Sequence, residues 1–338
     1  MFLRDIFLMI TATTQNGFKF SIPSSFNGYK CVSEIGRGGN SVVYKVVDVQ
    51  TDVFYAAKFV SRQHLMEKDL ILQFEQELRV HQYLKHPNIV EMHQVIYMTH
   101  VIIVILEYCE LGDMFGWVQK GNFYNKGAVR VYFSQLCRAL SYLHSKGIAH
   151  MDIKPENVFL DEHHNIKLGD FGCCETSIQK ISGSLHGTID YTAPEVILGE
   201  CLDKRKADIW SLGIFLYVLS SGSSPWEYEE EGDERVNIQN QILKGKIPYH
   251  ENSDFVVYQL IILCLNQRPC NRPTIDLLLQ HPYIKERNIQ PHKIYKEKNP
   301  IIITPHYLSS PSIRSQKLKL SYKARDKRGP SKSLIIRK

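Results

Sequence analysis

The chain has 338 residues, 43% of them apolar, so it can bury a sizeable core and is not a disordered protein. Its longest apolar runs, VIIVIL from residue 101 and IWSLGIFLYVL from residue 209, are far shorter than the roughly 20 residues that span a bilayer. The net charge of +6 is uneven, because residues 286–338 contain 14 Lys and Arg against 3 Asp and Glu. We therefore expect a soluble, acidic body with a basic tail.

Eight cysteines are spread along the chain without the paired spacing of a zinc site or a compact disulfide framework. This usage favours a reducing compartment, so we expect the cytoplasm, with the nucleus as the alternative. The start, MFLRDIFLMI, is interrupted by Arg4 and Asp5, and no small-residue cleavage site follows. A secretory signal is therefore not expected.

Short apolar or alternating runs between Tyr29 and about residue 109 predict β-strands. They are YKCVSEIG, SVVYKVVDV, VFYAAKFV, EMHQVIYM and HVIIVILEYC. Between them, residues 69–86 (DLILQFEQELRVHQYLKH) have apolar positions at helical spacing and end before Pro87, which predicts one helix. Residues 1–28 are predicted to be an N-terminal extension.

After Gly112 the sequence pattern is mainly helical rather than strand-like. Residues 128–147 form an amphipathic helical pattern that stops at Gly147, a good helix C-cap. Residues 206–222 are apolar on nearly all sides, which predicts a buried central helix. We expect an α+β fold with a small β-rich lobe over about 29–108 and a larger, mainly helical lobe over about 112–285. Residues 286–338 are predicted to be a partly disordered tail.

A glycine-rich turn lies between the first two strands. In IGRGGNSVVYKV, Gly36 and Gly38 lack a Cβ and would let backbone N–H groups approach phosphate oxygens. A strand follows rather than a helix, which argues against a dinucleotide-binding βαβ unit. Glycine turns also join strands without binding a ligand, so this segment alone leaves both interpretations open.

Lys58 lies in the middle of the apolar strand YAAKFV, where a lysine is costly to bury unless it is paired. Glu77 on the following helix is the expected partner, and Glu75 is the rival on a different helical face. Taken alone, the strand favours the simpler alternative of an outward-facing, solvated Lys58.

The segment AHMDIKPENVFL, residues 149–160, has the residue types that phosphate transfer needs. Asp152 can accept a hydroxyl proton, Lys154 can neutralise phosphate charge, and Asn157 offers an oxygen to a metal ion. The later motif GDFG adds the carboxylate of Asp170 for Mg²⁺. Each residue type is common in turns, but their order and spacing together are highly specific.

These motifs resemble those of the eukaryotic protein kinases over roughly residues 29–285. The sequence is most similar to the calcium/calmodulin-dependent and AMP-activated group of that family. The resemblance extends to APE at residues 193–195 and DIWSLG at residues 208–213. It implies a two-lobed kinase fold, ATP and Mg²⁺ as cofactors, and serine/threonine protein kinase activity, a phosphotransferase of class EC 2.7.11. The serine/threonine type follows from the resemblance in DIKPEN and GTIDYTAPE.

The resemblance also implies a role for each matching residue. The implied catalytic set is Lys58, Glu77, Asp152, Lys154 and Asn157. Within it, Asp152 would be the base, and Lys58 would bind the α- and β-phosphates with Glu77 as its pair. Asn157 and Asp170 would bind the metal. The residues implied to contact ATP are Ile35, Gly36, Gly38, Val43, Ala56, Lys58, Leu106, Glu107, Cys109, Phe159 and Asp170.

Further positions would support the structure or regulate it. Glu195 should pair with Arg272, because the planar fork of arginine suits a carboxylate. Asp208 should brace the catalytic loop from the central helix. Thr188 is expected to bridge Asp152 and Lys154, and Ser184 occupies the position of the usual activating phosphate.

Two positively charged side chains that this family often uses are missing. Met151 stands where an arginine commonly grips a phosphate on the activation segment, and Glu175 stands where some relatives have a lysine. We therefore expect a kinase that is active without phosphorylation of Ser184. The alternative is that Lys180 or His186 supplies the compensating charge.

Two other departures concern the first lobe. Ser41 replaces the third glycine of the turn. His81 lies where an aliphatic side chain is usual in the active-state hydrophobic stack, and a packed neutral histidine is expected there rather than a pH sensor.

Protein substrates with basic residues near the target serine or threonine are expected, because Asp113, Glu156 and Asp190 would line the peptide groove. The acidic run EYEEEGDE at 227–234 points the same way, although such runs are commonly solvated loops. The tail could bind an acidic partner, such as lipid, nucleic acid or the kinase's own groove, or simply aid solubility. We expect a monomer.

Two functions compete with a protein kinase. A pseudokinase scaffold would bind nucleotide and recruit partners through the basic tail, and Ser41, Met151 and His81 are its only support. A small-molecule kinase of similar core is disfavoured by the complete APE segment.

Overall fold

A computed structural model of the chain describes residues 8–120, 126–176, 188–227, 233–249 and 254–285. Within these ranges, the helices are too short or too polar to cross a membrane. The described residues form the expected α+β fold of two lobes, a β-rich lobe followed by a mainly helical one.

The first lobe begins with a β-hairpin that the sequence pattern had not led us to expect. Strands β1 (Met9–Thr13) and β2 (Lys19–Pro23) pair antiparallel, with Ile10 opposite Ile22. Alternate side chains of both strands join the hydrophobic core of the lobe. Most of the predicted N-terminal extension is therefore part of the folded lobe.

Six further strands form one antiparallel sheet. They are β3 (Ser25–Phe26), β4 (Tyr29–Arg37), β5 (Ser41–Asp48), β6 (Phe54–Ser61), β7 (Met92–Tyr97) and β8 (Val101–Glu107). Their order in the sheet is β3-β4-β5-β6-β8-β7. Each of the five predicted strand segments overlaps one of these strands, and the glycine-rich turn joins β4 to β5.

Two helices accompany the sheet, α1 (Arg62–Glu67) and α2 (Ile71–His81). Helix α1 was not predicted, and the Ser61 side chain caps it by accepting a hydrogen bond from the next turn. Helix α2 ends five residues earlier than predicted, because the chain turns so that Leu84 enters the core of the second lobe.

The second lobe combines eight helices with short strands in the part of the chain that is described. Its strands are β9 (Gly112–Asp113), β10 (Ile148–Ala149), β11 (Val158–Leu160), β12 (Ile166–Leu168) and β13 (Glu175–Thr176). Its helices are α3 (Met114–Gln119), α4 (Lys126–Ser145), α5 (Pro194–Ile197), α6 (Lys204–Ser221), α7 (Glu234–Lys244), α8 (Phe255–Cys264), α9 (Ile275–Leu279) and α10 (Pro282–Lys285). Strands β10 and β13 form a two-stranded sheet, and β9, β11 and β12 form a three-stranded sheet. The predicted catalytic segment, residues 149–160, runs from the first of these sheets to the second.

Helix α6 is the buried centre of this lobe, as its apolar sequence predicts. It ends at Gly222, whose positive φ of 79° suits glycine at a helix C-cap. Gly213 lets α8 approach closely, because a Cβ there would lie 2.7 Å from Cβ of Cys264. The same Cβ would lie 2.9 Å from Cδ2 of Leu265.

Replacing Gly213 by alanine should destabilise the protein by about 1–3 kcal/mol, because α6 and α8 would have to separate. Gly116→Ala is the matched control, since its new Cβ would have an ordinary contact of 3.5 Å with Asp113. Urea unfolding of both variants beside the wild type measures the difference. An unchanged midpoint for Gly213→Ala would contradict this account of the packing.

Candidate active site

The glycine-rich turn is a tight backbone loop closed by its own hydrogen bond. Gly38 N–H donates to the carbonyl of Ser41 at 2.8 Å. A Cβ on Gly38 would lie 2.8 Å from Oγ of Ser41, whereas one on Gly36 would meet Val43 at an ordinary 3.9 Å. Ser41 is buried and its hydroxyl lies beside the turn, so Gly38 is the position that most needs glycine.

Lys58 is paired rather than solvated. Its Nζ donates to Oε1 of Glu77 at 2.6 Å, and both side chains are largely buried. Glu75, the rival partner, is exposed and lies 3.8 Å from Arg79 instead. Burial by itself would lower the pKa of Lys58, but the charges of Glu77 and Asp170 raise it above its ordinary value. Lys58 is therefore held as a cation inside the cleft.

The Asp152 carboxylate is held by two neighbouring donors. Lys154 Nζ donates to its two oxygens at 3.0 and 2.9 Å, and Asn157 Nδ2 donates to Oδ2 at 2.7 Å. Asn157 Nδ2 also donates to the Asp152 carbonyl at 2.8 Å. Because these bonds use the amide nitrogen of Asn157, its oxygen remains oriented as an acceptor that suits a hard cation.

Asp208 braces the catalytic loop from α6, as predicted. Its carboxylate accepts hydrogen bonds from the N–H groups of His150 at 2.9 Å and Met151 at 2.8 Å. His144 Nε2 lies 2.8 Å from the same carboxylate. Met151 has a φ of 64°, a left-handed conformation that costs energy for a non-glycine residue. The two backbone bonds offset that cost and hold the loop in place.

Asp170 supplies a second carboxylate to the cleft, at a position that solvent reaches. Partial desolvation by the surrounding protein atoms opposes its ionisation, but Lys58 and the N–H of Gly172 lower its pKa below the ordinary value. Gly172 N–H donates to Oδ1 at 3.3 Å. The sequence motifs predict that oxygens of Asp170 and Asn157 bind Mg²⁺. Both are oxygen ligands of the kind that this hard cation prefers.

His81 forms part of the packing behind this site. Its ring centroid lies 4.5 Å from that of Phe171, and Phe171 also contacts His150 at 5.2 Å. His81 Nε2–H donates to the carbonyl of Val90 at 2.7 Å. Burial lowers the pKa of His81 to about 4, which agrees with a packed neutral histidine at physiological pH.

The proposed adenine region is lined by short or apolar side chains. Ala56 pairs with Leu106 across β6 and β8, and Cys109 is buried just beyond β8. Phe159 is half-buried on β11. The other predicted hinge residue, Glu107, is held by Lys167 at 2.5 Å.

Glu195 and Arg272 form the predicted bidentate pair, with N–O distances of 2.6 and 2.7 Å. Arg272 also donates to the carbonyls of Asn266 and Lys206, both at 2.8 Å. These extra bonds satisfy a buried guanidinium that would otherwise be costly. The pair therefore ties the segment after the catalytic loop to the base of the lobe.

The regulatory residues are only partly described. Ser184, Lys180 and His186 lie outside the described residues. The carbonyl of Thr188 accepts from the Thr192 hydroxyl at 3.3 Å, and the bridging role of Thr188 stays a prediction.

Glu175 forms an ion pair with Lys204 at the start of α6. The sequence pattern did not indicate this pair, because its partners are distant along the chain and neither belongs to a motif.

The three acidic groove residues differ in their surroundings. Burial raises the pKa values of both Asp113 and Glu156. Among the described residues, Oε2 of Glu156 is buried without a hydrogen-bond partner. Asp190, in contrast, is buried in the lobe beside Ser224, whose hydroxyl lies 3.4 Å from Oδ1 of Asp190. Glu156 and Asp113 are thus better placed than Asp190 to receive a cationic ligand.

Comparison with known proteins shows which family this chain resembles. The family described as "Protein kinase domain" matches residues 29–284. CBL-interacting protein kinase 5 of Oryza sativa subsp. japonica is 33% identical over 264 residues, which are 77% of this chain and 56% of the relative. CBL-interacting serine/threonine-protein kinase 15 of Arabidopsis thaliana is 35% identical over 228 residues, 64% of this chain and 54% of the relative. The chain thus spans little more than half the length of these relatives.

The pKa of His81 predicts a dependence of stability on pH. Because the folded-state pKa of about 4 lies below the ordinary 6.5, the unfolded state binds more protons between these values. The free energy of unfolding should therefore fall as pH drops through this window, with a slope approaching about 1.4 kcal/mol per pH unit. Urea unfolding should show less pH dependence in His81→Leu than in the wild type, whereas the exposed His163→Leu control should keep the wild-type slope. Equal slopes in all three would contradict the buried neutral state.

Proposed function

The chain belongs to the protein kinase family, and on that basis we propose that it is a serine/threonine protein kinase. It would transfer the γ-phosphoryl group of MgATP to hydroxyl groups of protein substrates. The observation that carries this proposal is the buried Lys58–Glu77 pair facing an intact Asp152, Asn157 and Asp170. Relatives whose names include serine/threonine-protein kinase support the same activity.

In this proposal MgATP supplies the phosphoryl group and the divalent charge, and the chain supplies position and electrostatics. Lys58, kept charged by Glu77, would hold the phosphates, and Asn157 and Asp170 would hold the metal ion. Asp152 would orient the substrate hydroxyl and accept its proton. Lys154, at 2.9–3.0 Å from Asp152, would balance negative charge during transfer.

A pseudokinase scaffold is the less favoured function. Loss of catalysis in this family would be expected to leave damage at Lys58, Asp152, Asn157 or Asp170, and all four are present in the expected order. The pairing of Lys58 with Glu77 and of Asn157 with Asp152, and the bond from Gly172 N–H to Asp170, support an active enzyme.

We also propose that the kinase is active without a phosphate on Ser184. Met151 packs against the core of the second lobe and offers no charge to a phosphate. Glu175 already carries a negative charge into the activation segment, and Lys204 neutralises it. Pairing of β13 with β10 holds the start of the segment against the catalytic loop. These contacts would replace the phosphate-dependent pair of other relatives.

The proposed substrates carry basic residues near the target hydroxyl. The unpartnered Glu156 oxygen and the half-buried Asp113 carboxylate would gain from a guanidinium, which would offset the cost of their partial desolvation. The cytoplasmic location and an acidic partner for the tail remain proposals from sequence.

Phosphate transfer from MgATP to a basic serine peptide tests the activity and its regulation. Wild-type protein treated with phosphatase and the Ser184→Ala variant should both retain activity, because Met151 and Glu175 offer no positive charge to a phosphate. Asp152→Asn should lose at least about a hundredfold in rate, as expected for a missing base.

Binding of MgATP to each preparation serves as the folding control. If every preparation binds nucleotide but none transfers phosphate, the scaffold function gains support. If untreated wild type alone is active, the inference drawn from Met151 is wrong.

The groove predicts a change in peptide selectivity. Glu156→Gln should raise KM about tenfold for a peptide with arginine N-terminal to the serine, because a charge-assisted bond is lost. It should leave KM nearly unchanged for the same peptide with alanine in place of arginine. The exposed Glu162→Gln is the control, and equal effects on both peptides would contradict this assignment.

A further inference from the structure

The N-terminal β-hairpin touches the glycine-rich turn, although residues 9–23 lie outside the segment that matches the kinase family. Gln15 N–H donates to the carbonyl of Gly38 at 3.0 Å. Asn16 Nδ2 donates to the carbonyl of Gly39 at 3.2 Å. A Cβ on Gly39 would lie 3.1 Å from that same nitrogen, so the two turns are in close contact.

The tip of the hairpin is fixed in one conformation by its own hydrogen bonds. Thr14 is buried, and its N–H donates to the carbonyl of Phe18 at 2.9 Å. In return, Phe18 N–H donates to Oγ1 of Thr14 at 3.1 Å. Gly17 closes the turn with a φ of 82°, a conformation that glycine adopts readily. Gln15 and Asn16 are therefore presented from a fixed frame.

A second contact supports the same turn from its other end. The ring of Phe18 lies 4.2 Å from the ring of His64, measured between centroids. His64 Nε2 lies 3.0 Å from Oδ1 of Asn40, the residue that follows the two contacted glycines. His64 belongs to α1, directly after the strand that carries Lys58. The turn is thus connected to the hairpin at Gly38 and Gly39 and to α1 at Asn40.

The hairpin and the nucleotide site lie on opposite faces of the sheet. The hairpin shares a hydrophobic core with Val42, Tyr44 and Phe59. Because side chains alternate along a strand, the neighbouring Val43 and Lys58 point to the other face, where the cleft lies. The hairpin therefore supports the turn from behind and leaves the cleft open.

The peptide geometry gives these contacts a consequence for ligand binding. In a trans peptide, the carbonyl of one residue and the N–H of the next point in opposite directions. Bonds from the hairpin to the carbonyls of Gly38 and Gly39 therefore turn the N–H groups of Gly39 and Asn40 away from the hairpin. A glycine turn fixed in this way loses less conformational freedom when a ligand orders it.

We propose that the hairpin is a positioning element that holds the glycine-rich turn in the conformation that binds nucleotide phosphates. Asn16 of the hairpin and His64 of α1 are the positioning residues, acting on the turn through the carbonyl of Gly39 and the side chain of Asn40. The inference rests on the proposed function only in taking ATP as the ligand. Binding in the absence of turnover can therefore test it separately from catalysis.

Calorimetry with two ligands tests the proposal. The first is the magnesium complex of a non-hydrolysable ATP analogue, and the second is adenosine, which has the base and sugar but no phosphate. Asn16→Ala should weaken binding of the analogue about two- to fivefold, and Asn16→Ala combined with His64→Phe should weaken it about tenfold. Adenosine affinity should stay within about twofold of the wild type in both variants.

Thr11→Ala is the matched control, because Thr11 is exposed on the hairpin and pairs with Ser21 away from the turn. It should change neither affinity. Thermal unfolding shows whether each variant is folded at the binding temperature.

Two results would overturn the proposal. Equal weakening of the analogue and adenosine would indicate general damage to the lobe, and unchanged affinity for the analogue in the double variant would show that the contacts do not position the turn. Failure of the wild type to phosphorylate peptides would count against the proposed kinase activity, while the difference between the two ligands would still decide the role of the hairpin.

Discussion

The geometry of the catalytic loop depends on one buried carboxylate, that of Asp208. A charge in the core of a helical lobe is costly, and donors from His144, His150 and Met151 satisfy it. In return it fixes the backbone of the loop, including the left-handed conformation at Met151. Asp152 follows directly, so the orientation of the proposed base is set from inside α6 rather than by the loop itself.

The site also depends on charges that belong to different lobes. Lys58 and Glu77 come from the first lobe, whereas Asp170 lies on the segment after β12 in the second lobe. Lys58 stays charged because both carboxylates favour its cationic form, and Asp170 stays ionised because Lys58 lies near it. The pKa shifts of Lys58 and Asp170 are therefore coupled across the two lobes. Phe171, packed between His81 and His150, adds an apolar connection at the same junction.

Met151 and Glu175 show how a family pattern can change without loss of the catalytic core. An arginine at Met151 would need a counter-charge, and the methionine instead buries part of its side chain. Glu175 finds its counter-charge in Lys204, which lies in the helix that also carries Asp208. The central helix therefore contacts both the catalytic loop and the activation segment. In the proposed regulation, this ion pair would take the place of a reversible modification.

The sequence by itself determined the strands between Tyr29 and about residue 109, the apolar helix α6 and the identity of the catalytic motifs, because periodicity and motif spacing are local properties. It also contained a signal for the hairpin that was missed, the dipeptide Asn16-Gly17 between two alternating segments. Only the tertiary structure decided which glutamate pairs with Lys58, where α2 ends and that Lys204 neutralises Glu175. It also decided that the hairpin tip lies on Gly38 and Gly39. These outcomes depend on contacts between residues far apart in the chain, and the packing of the sheet and the central helix selects among partners that are equivalent in the sequence.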